Sequence, residues 1–149
     1  MASRYGLQIR AATGADAPGL AVLLESAGHP LALATLSGRL EACHAGTGTV
    51  LLALEWGPPS GIIALSWFRT LESDFAVAQI TTLLVGPDER RRGIGRLLLK
   101  AAAQAARLAG CGTLTIAAHA ADPATAAFCG ATGFEPTGPA FARNLRKRS

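Results

Sequence analysis

Apolar and polar residues along this chain alternate with a period of two in some stretches and between three and four in others, and the switches mark out its elements. Leu7-Gln8-Ile9-Arg10 alternates apolar with polar, which predicts a half-buried strand. Thr13-Gly14-Ala15-Asp16 supplies turn and capping chemistry for a helix over 17–27, with Leu20, Leu23, Leu24 and Ala27 as its apolar stripe. Gly28-His29-Pro30 breaks that helix, and Leu31, Leu33, Leu36 and Leu40 predict a second one to about residue 45, weakened by Gly38. Residues 50–55 read as a strand, Gly57-Pro58-Pro59-Ser60-Gly61 as a turn, and 62–69 as the strand that returns in a hairpin.

Residues 75–85 are β-branched and apolar on both alternating faces, the pattern of a central strand covered from both sides. A helix follows over 93–109, with Ile94, Leu97, Leu98, Ala101, Ala105 and Leu108 on one broad face and Gly110 closing it. Residues 113–118 form a further strand. Asp122-Pro123 caps and opens a short helix to residue 131, and a last β region runs from Gly133-Phe134-Glu135 to near Leu145. No repeat or low-complexity linker interrupts this order, and 149 residues suit a single domain over 1–149.

Composition narrows the function classes. Hydrophobic residues make up 50% of the chain and charged ones 16%, which excludes a disordered or fibrous protein. No apolar run approaches membrane-spanning length and Met1-Ala2-Ser3-Arg4-Tyr5 lacks a signal-peptide core, so a soluble cytoplasmic protein is expected, with no membrane partner. Cys43, Cys111 and Cys129 have neither C-x-x-C spacing nor an even count, which argues for reduced thiols and against a metal site. Trp56, Trp67, Cys43 and Cys111 read as packing residues, and His29 and His44 as surface. The net charge of +4 concentrates between Arg90 and Lys100 and in the tail Arg143-Asn144-Leu145-Arg146-Lys147-Arg148. With aromatics at only 5%, base-stacking platforms are few, and nucleic acid is not the expected partner.

The charge cluster near residue 90 carries the chemistry. Val85-Gly86-Pro87-Asp88-Glu89-Arg90-Arg91-Arg92-Gly93-Ile94-Gly95-Arg96 takes a strand through a turn into a helix start. Gly93 and Gly95 let a ligand approach the backbone. The unpaired N–H groups and positive dipole end of the helix favour a phosphate, and Arg90, Arg91, Arg92 and Arg96 add forked donors for its oxygens. The sequence lacks G-x-x-x-x-G-K-[ST], and Gly93-Ile94-Gly95 is not continued as G-x-G-x-x-G, so two common phosphate motifs are excluded.

What remains, R-x-x-G-x-G at Arg90, Gly93 and Gly95, resembles the pyrophosphate loop of the GNAT superfamily of acyl-CoA N-acyltransferases. The likeness extends over most of the chain. Ile9-Arg10-Ala11-Ala12 with Asp16 is similar to the family's first strand and helix start. Asp122-Pro123, Phe128, Gly133 and Phe134 resemble its N-P-x-A-x-x-F-Y-x-x-x-G-F ending, with Thr125 in the register of the alanine. The resemblance implies the GNAT fold, an α+β architecture whose mixed, mostly antiparallel central sheet has helices on both faces.

It also implies acetyl-CoA as cosubstrate and transfer of its acetyl group to a primary amine of a small molecule or protein. Donor-binding positions would be the backbone of Leu83, Leu84 and Val85, which pairs with the pantetheine arm, the loop Arg90, Arg91, Arg92, Gly93, Ile94, Gly95 and Arg96, and Asp122 and Phe128. Asp122 stands where the family has Asn. A carboxylate there repels phosphate, so it caps its helix first.

Two proton-handling positions depart from the family. Gln79 occupies the place of a strand Glu that acts as general base in some members, and an amide cannot take the amine's proton at neutral pH. Glu72, Asp74 or His119 could instead feed a water chain. Cys129 occupies the place of the Tyr that protonates the departing sulfur; a thiol can donate that proton, and it can equally be a small buried hydrophobe. These departures leave a second reading open, an acyl-CoA-binding regulatory module with impaired catalysis. A homodimer is compatible with the sequence.

Overall fold

The computed structural model describes residues 6–87, 93–116, 123–135 and 142–146. The chain divides into two compact units, Met1–Ala117 and Ala118–Ser149.

The first unit is built on five strands in the order β1-β2-β3-β4-β5: β1 (Gln8–Ala11), β2 (Gly48–Leu54), β3 (Gly61–Phe68), β4 (Ala76–Val85) and β5 (Cys111–Ile116). The first four run antiparallel to their neighbours and β5 lies parallel to β4. Between the strands come α1 (Ala17–Ser26), α2 (Leu33–Ala45) and α3 (Ile94–Leu108). The mixed sheet with its helices is therefore the α+β arrangement expected from the sequence.

Side chains alternate across a pleated strand, so the register assigns each residue to a face. Val50, Leu52, Ile62 and Ala64 are buried in one cluster with Leu20, Leu23 and Leu24 of α1 and Leu36 and Leu40 of α2. Ala53 and Ile63 alternate with these and are fully buried on the opposite face. There α3 packs against β3, and a Cβ at Gly61 would meet Leu98 Cδ1 at 2.9 Å and Ile94 Cγ2 at 3.2 Å.

One irregularity matters for the site. Leu65 pairs with Ile80 but the next residue, Ala64, pairs with Thr82, so Thr81 is an inserted residue, a β-bulge. Ahead of it Ala76, Ala78 and Ile80 are buried; beyond it Thr81 and Thr82 are exposed and Leu83, Leu84 and Val85 half-buried. The strand is thus covered on one face and open on part of the other, not sealed on both as its apolar pattern predicts.

The start of α1 is fastened by local chemistry. Gly14–Asp16 forms a 3-10 turn, and the Asp16 carboxylate accepts the Thr13 N–H at 2.7 Å and both Arg10 guanidinium prongs at 2.8 and 2.7 Å. Among the buried residues of α3 are Ile94, Leu98, Ala102 and Ala106, whereas Leu108, expected on the inner face, is 82% exposed. Trp56 (87% exposed) and Cys43 also lie at the surface and not in the packing expected of them.

In the second unit Pro123–Ala131 is α4, as expected. The strand expected between Gly133 and Leu145 is not formed by residues 133–135 or 142–145, and residues 136–141 lie outside the described set.

Candidate active site

The site assembles where β4 ends. Among the described residues the ladder to β5 runs to Ile80 opposite Ile116, the last described residue of β5, while that to β3 continues to Val85 opposite Gly61. Leu83, Leu84 and Val85 follow the bulge, and their side chains are half-buried.

The turn after β4 is tied down. Gly86 N–H donates to the carbonyl of Ser60 at 2.8 Å, and Ser60 N–H donates to Ala53 O at 2.8 Å, so the β2–β3 turn braces the exit of β4. Ser60 and Gly86 are both buried. A cleft of about 480 Å³ opens beside this brace, lined by Val22, Leu23 and Ser26 of α1, by Glu55 and Trp56, and by Gly86 and Pro87.

The chain re-enters the described region at Gly93, the N-cap of α3, with φ +76° and ψ 13°. Glycine populates this left-handed region without the Cβ penalty other residues meet. Gly93 O accepts the N–H of Leu97 at 3.1 Å as the first helical bond. The N–H groups ahead of it, on Ile94, Gly95 and Arg96, belong to the helix's first turn, which has no acceptor within the helix and attracts anions. Ile94 is 1% exposed, so its side chain anchors the turn in the core, whereas Arg96 is exposed and adds charge at the rim. Arg90, Arg91, Arg92 and Asp122 lie outside the described residues.

Gln79 is half-buried on β4, two residues before the bulge, opposite Ser66 of β3 and Thr115 of β5. Thr115 donates its hydroxyl to Ala78 O at 3.2 Å. This row of neutral polar side chains escaped the sequence reading because it exists only once three strands are paired in register. Glu72 and Asp74 are exposed in the β3–β4 loop, and His119 lies outside the described residues. Burial raises the pKa of the Cys111 thiol, and the positive charge of Arg69 partly offsets this. Phe128 and Cys129 are half-buried on α4 in the second unit. Cys43, Cys111 and Cys129 are free thiols, and among the described residues no group of three or more His, Cys, Asp or Glu could hold a metal ion. No helix among the described residues is long and apolar enough to cross a membrane.

A bulged strand followed by a glycine-initiated helix invites comparison with known proteins. The profile of the acetyltransferase (GNAT) family matches residues 15–134 of the chain. The chain belongs to the GNAT family.

Solved GNAT-like structures agree with the fold. A protein from Agrobacterium tumefaciens described as an acetyltransferase shares 26% identity and a TM-score of 0.81, covering 93% of this chain and 99% of that one. A ribosomal-protein-alanine N-acetyltransferase from Brucella melitensis shares 16% identity and a TM-score of 0.79, covering 94% and 99%. AAC(6')-Iy, solved with the bisubstrate analogue CoA-S-monomethyl-acetylneamine, shares 20% identity and a TM-score of 0.77, covering 95% and 99%. No protein of curated function matches the sequence. Family membership makes this GNAT chain an acyltransferase.

Proposed function

We propose that the chain transfers an acetyl group from acetyl-CoA to a primary amine of a small molecule or a protein. The observation that carries this reading is the bulged end of β4 at 81–85, braced at Gly86 by Ser60 and followed along the chain by the helix start at Gly93, whose φ of +76° is left-handed. A donor with a peptide-like arm and a diphosphate at one end matches that sequence of features, because the end of the strand offers main-chain pairing and the helix end offers N–H donors to an anion.

In this reading Leu83, Leu84 and Val85 hold the pantetheine arm through their backbones. Gly93, Ile94 and Gly95 hold the diphosphate, Arg90, Arg91, Arg92 and Arg96 neutralise it, and Asp122 and Phe128 are the remaining donor-binding positions that the resemblance implies. A main-chain N–H of β4 polarises the thioester carbonyl where negative charge develops. Cys129 donates the proton taken up by the departing sulfur, a transfer between two groups of like chemistry, thiol to thiolate. The cleft between α1 and the β2–β3 turn supports acceptor selection by those elements.

Acetyl-CoA is expected to raise the melting temperature of the chain, and Arg91→Glu combined with Arg92→Glu to abolish that rise. Equal shifts in both proteins would remove the loop from the donor site. Release of free thiol in the presence of amines, lowered by Cys129→Ala, supports catalysis. Gln79 and Cys129 at the two proton-handling positions favour one second reading, a catalytically impaired acyl-CoA-binding regulatory module, which predicts protection by acetyl-CoA and no turnover of any amine.

A further inference from the structure

The cleft beside the Ser60 brace has walls fixed by packing and a lining of one character. A Cβ on Gly19 of α1 would meet Pro59 Cδ at 3.0 Å, so the missing side chain lets the β2–β3 turn seat directly on the helix. Main-chain hydrogen bonds of Ser60 with Ala53 and Gly86 tie the same turn to the end of β4. Apolar surface comes from Val22, Leu23, Trp56, Pro58 and Pro59, of which Leu23 and Pro59 are buried and the others exposed. Among the described lining residues Glu55 alone is titratable, and none is cationic, although the chain carries a net charge of +4. Ser26 donates its hydroxyl to Leu23 O at 2.7 Å, so what its side chain keeps for a ligand is an acceptor.

From this lining we infer that the cleft binds a small organic cation, one primary ammonium group carried on a compact apolar body. A volume of about 480 Å³ suits a small molecule, since sites for such ligands span about 300–1,000 Å³. The ammonium brings three donors and a positive charge to two acceptors, the Glu55 carboxylate and the Ser26 oxygen. Glu55 already interacts with a neighbour, and its two oxygens offer about four acceptor sites, so the ammonium joins that interaction without displacing it. The exposed indole of Trp56 is the aromatic type that attracts cations most strongly, and the ligand's apolar part covers Val22 and the prolines. A polycation would leave its further ammonium groups against apolar walls with no opposite charge, and an anion would meet Glu55. The inference goes beyond the acetyl-transfer reading and stands without it, because it concerns binding in the absence of acetyl-CoA. Joined to that reading, it names the acceptor's size and charge.

The test follows the fluorescence of Trp56 in the full chain carrying Trp67→Phe, which leaves a single tryptophan. The probes are 2-phenylethylamine, the neutral 2-phenylethanol, the anionic 3-phenylpropionate and the polycation spermine, and calorimetry on the unaltered chain repeats each titration. Saturable binding of 2-phenylethylamine is expected, tighter than that of the other three by about ten-fold or more, the difference a hydrogen bond to a charged group makes. Glu55→Gln should weaken the amine by about ten-fold while leaving 2-phenylethanol unchanged, which a mere loss of structure would not do. By calorimetry Trp56→Ala should weaken the amine by about two- to ten-fold, with Trp56→Phe in between. Equal affinity for amine and alcohol, tighter binding of spermine or 3-phenylpropionate, an unchanged amine affinity in Glu55→Gln, or no saturable binding would each overturn the inference. So would displacement of the amine by acetyl-CoA, which would give the cleft to the donor. If the amine binds and acetyl-CoA does not protect the chain from heat, the acetyl-transfer reading falls and this inference stands.

Discussion

Arg10 and Asp16 form a two-pronged ion pair, Nη1 to Oδ2 at 2.8 Å and Nη2 to Oδ1 at 2.7 Å, that joins the end of β1 to the turn initiating α1. The Arg10 hydrogen bonds, with help from the Thr13 N–H, hold the Asp16 carboxyl down at about 2, below the ordinary carboxylate range, against the opposing effect of its partial burial. A carboxylate depressed in the folded state stabilises it at pH values above its unfolded pKa, and that contribution disappears as pH falls through the folded value. Since the Arg10 side chain is 39% exposed and screened by water, the pair contributes on the order of 1 kcal/mol. Asp16→Asn should therefore lower stability by about that amount at neutral pH. In urea titrations the two proteins should converge between about pH 4 and pH 2.

Gly61→Ala tests the close approach of α3 to the sheet. The added methyl would lie 2.9 Å from Leu98 Cδ1 and 3.0 Å from the carbonyl oxygen of Leu84, and the carbonyl cannot move aside without disturbing the ladder. A loss of about 1–3 kcal/mol is expected, as for other overpacked interiors. Because Gly61 pairs with Val85 at the end of β4, calorimetry should also show weaker binding of acetyl-CoA.

Replacing Gly93 by valine places a β-branched side chain at φ +76°. The strain is worth about 1–2 kcal/mol. A Cβ there would touch nothing within 4 Å, so crowding adds little. Acetyl-CoA affinity should fall by roughly ten-fold or more if the helix start relaxes to relieve that strain, since 1.4 kcal/mol is a factor of ten. Affinity unchanged from the parent would show that the donor does not use this helix end.

Leu98→Ala and Leu108→Ala should separate sharply in thermal melts. Leu98 is fully buried, so its truncation should cost about 2–5 kcal/mol, and Leu108 is 82% exposed, so its truncation should stay within about 0.5 kcal/mol.

That last pair shows where sequence pattern falls short. The strands and the first three helices were legible because turn residues such as Gly57-Pro58-Pro59 and the alternation of Leu7-Gln8-Ile9-Arg10 are local signals. The buried face of α3 was legible only in part: Ile94 and Leu98 were expected on it and are buried, but Leu97, Ala101, Ala105 and Leu108 define an apolar stripe as good as the real one. At 100° per residue the row Ile94, Leu98, Ala102, Ala106 is turned from it by roughly a quarter of a turn. Small residues at 102 and 106 mark that side, where a backbone can come close to a sheet, and alanine-rich composition hides such a preference. For β4, apolar residues at 83–85 suggested burial from both faces, but beyond the bulge these side chains are only half-buried. The glycine and arginine spacing that begins at Arg90 was legible as a motif. The companion features, the bulge in β4 and the Ser66–Gln79–Thr115 row, depend on pairings across about 13 to 36 positions of sequence that no local pattern encodes.

Thr81 acts as a phase shifter. Even-numbered residues of β4 turn toward α3 before it and odd-numbered ones after it, which is why Leu83 can share a side with Ile80 while Leu84 joins the cluster under α1 and α2. Because Ile80 already pairs with Leu65 and Thr82 with Ala64, removing the single threonine would leave both halves facing as they do. Loss of that one codon should straighten the strand and take away its extra twist without turning any side chain over.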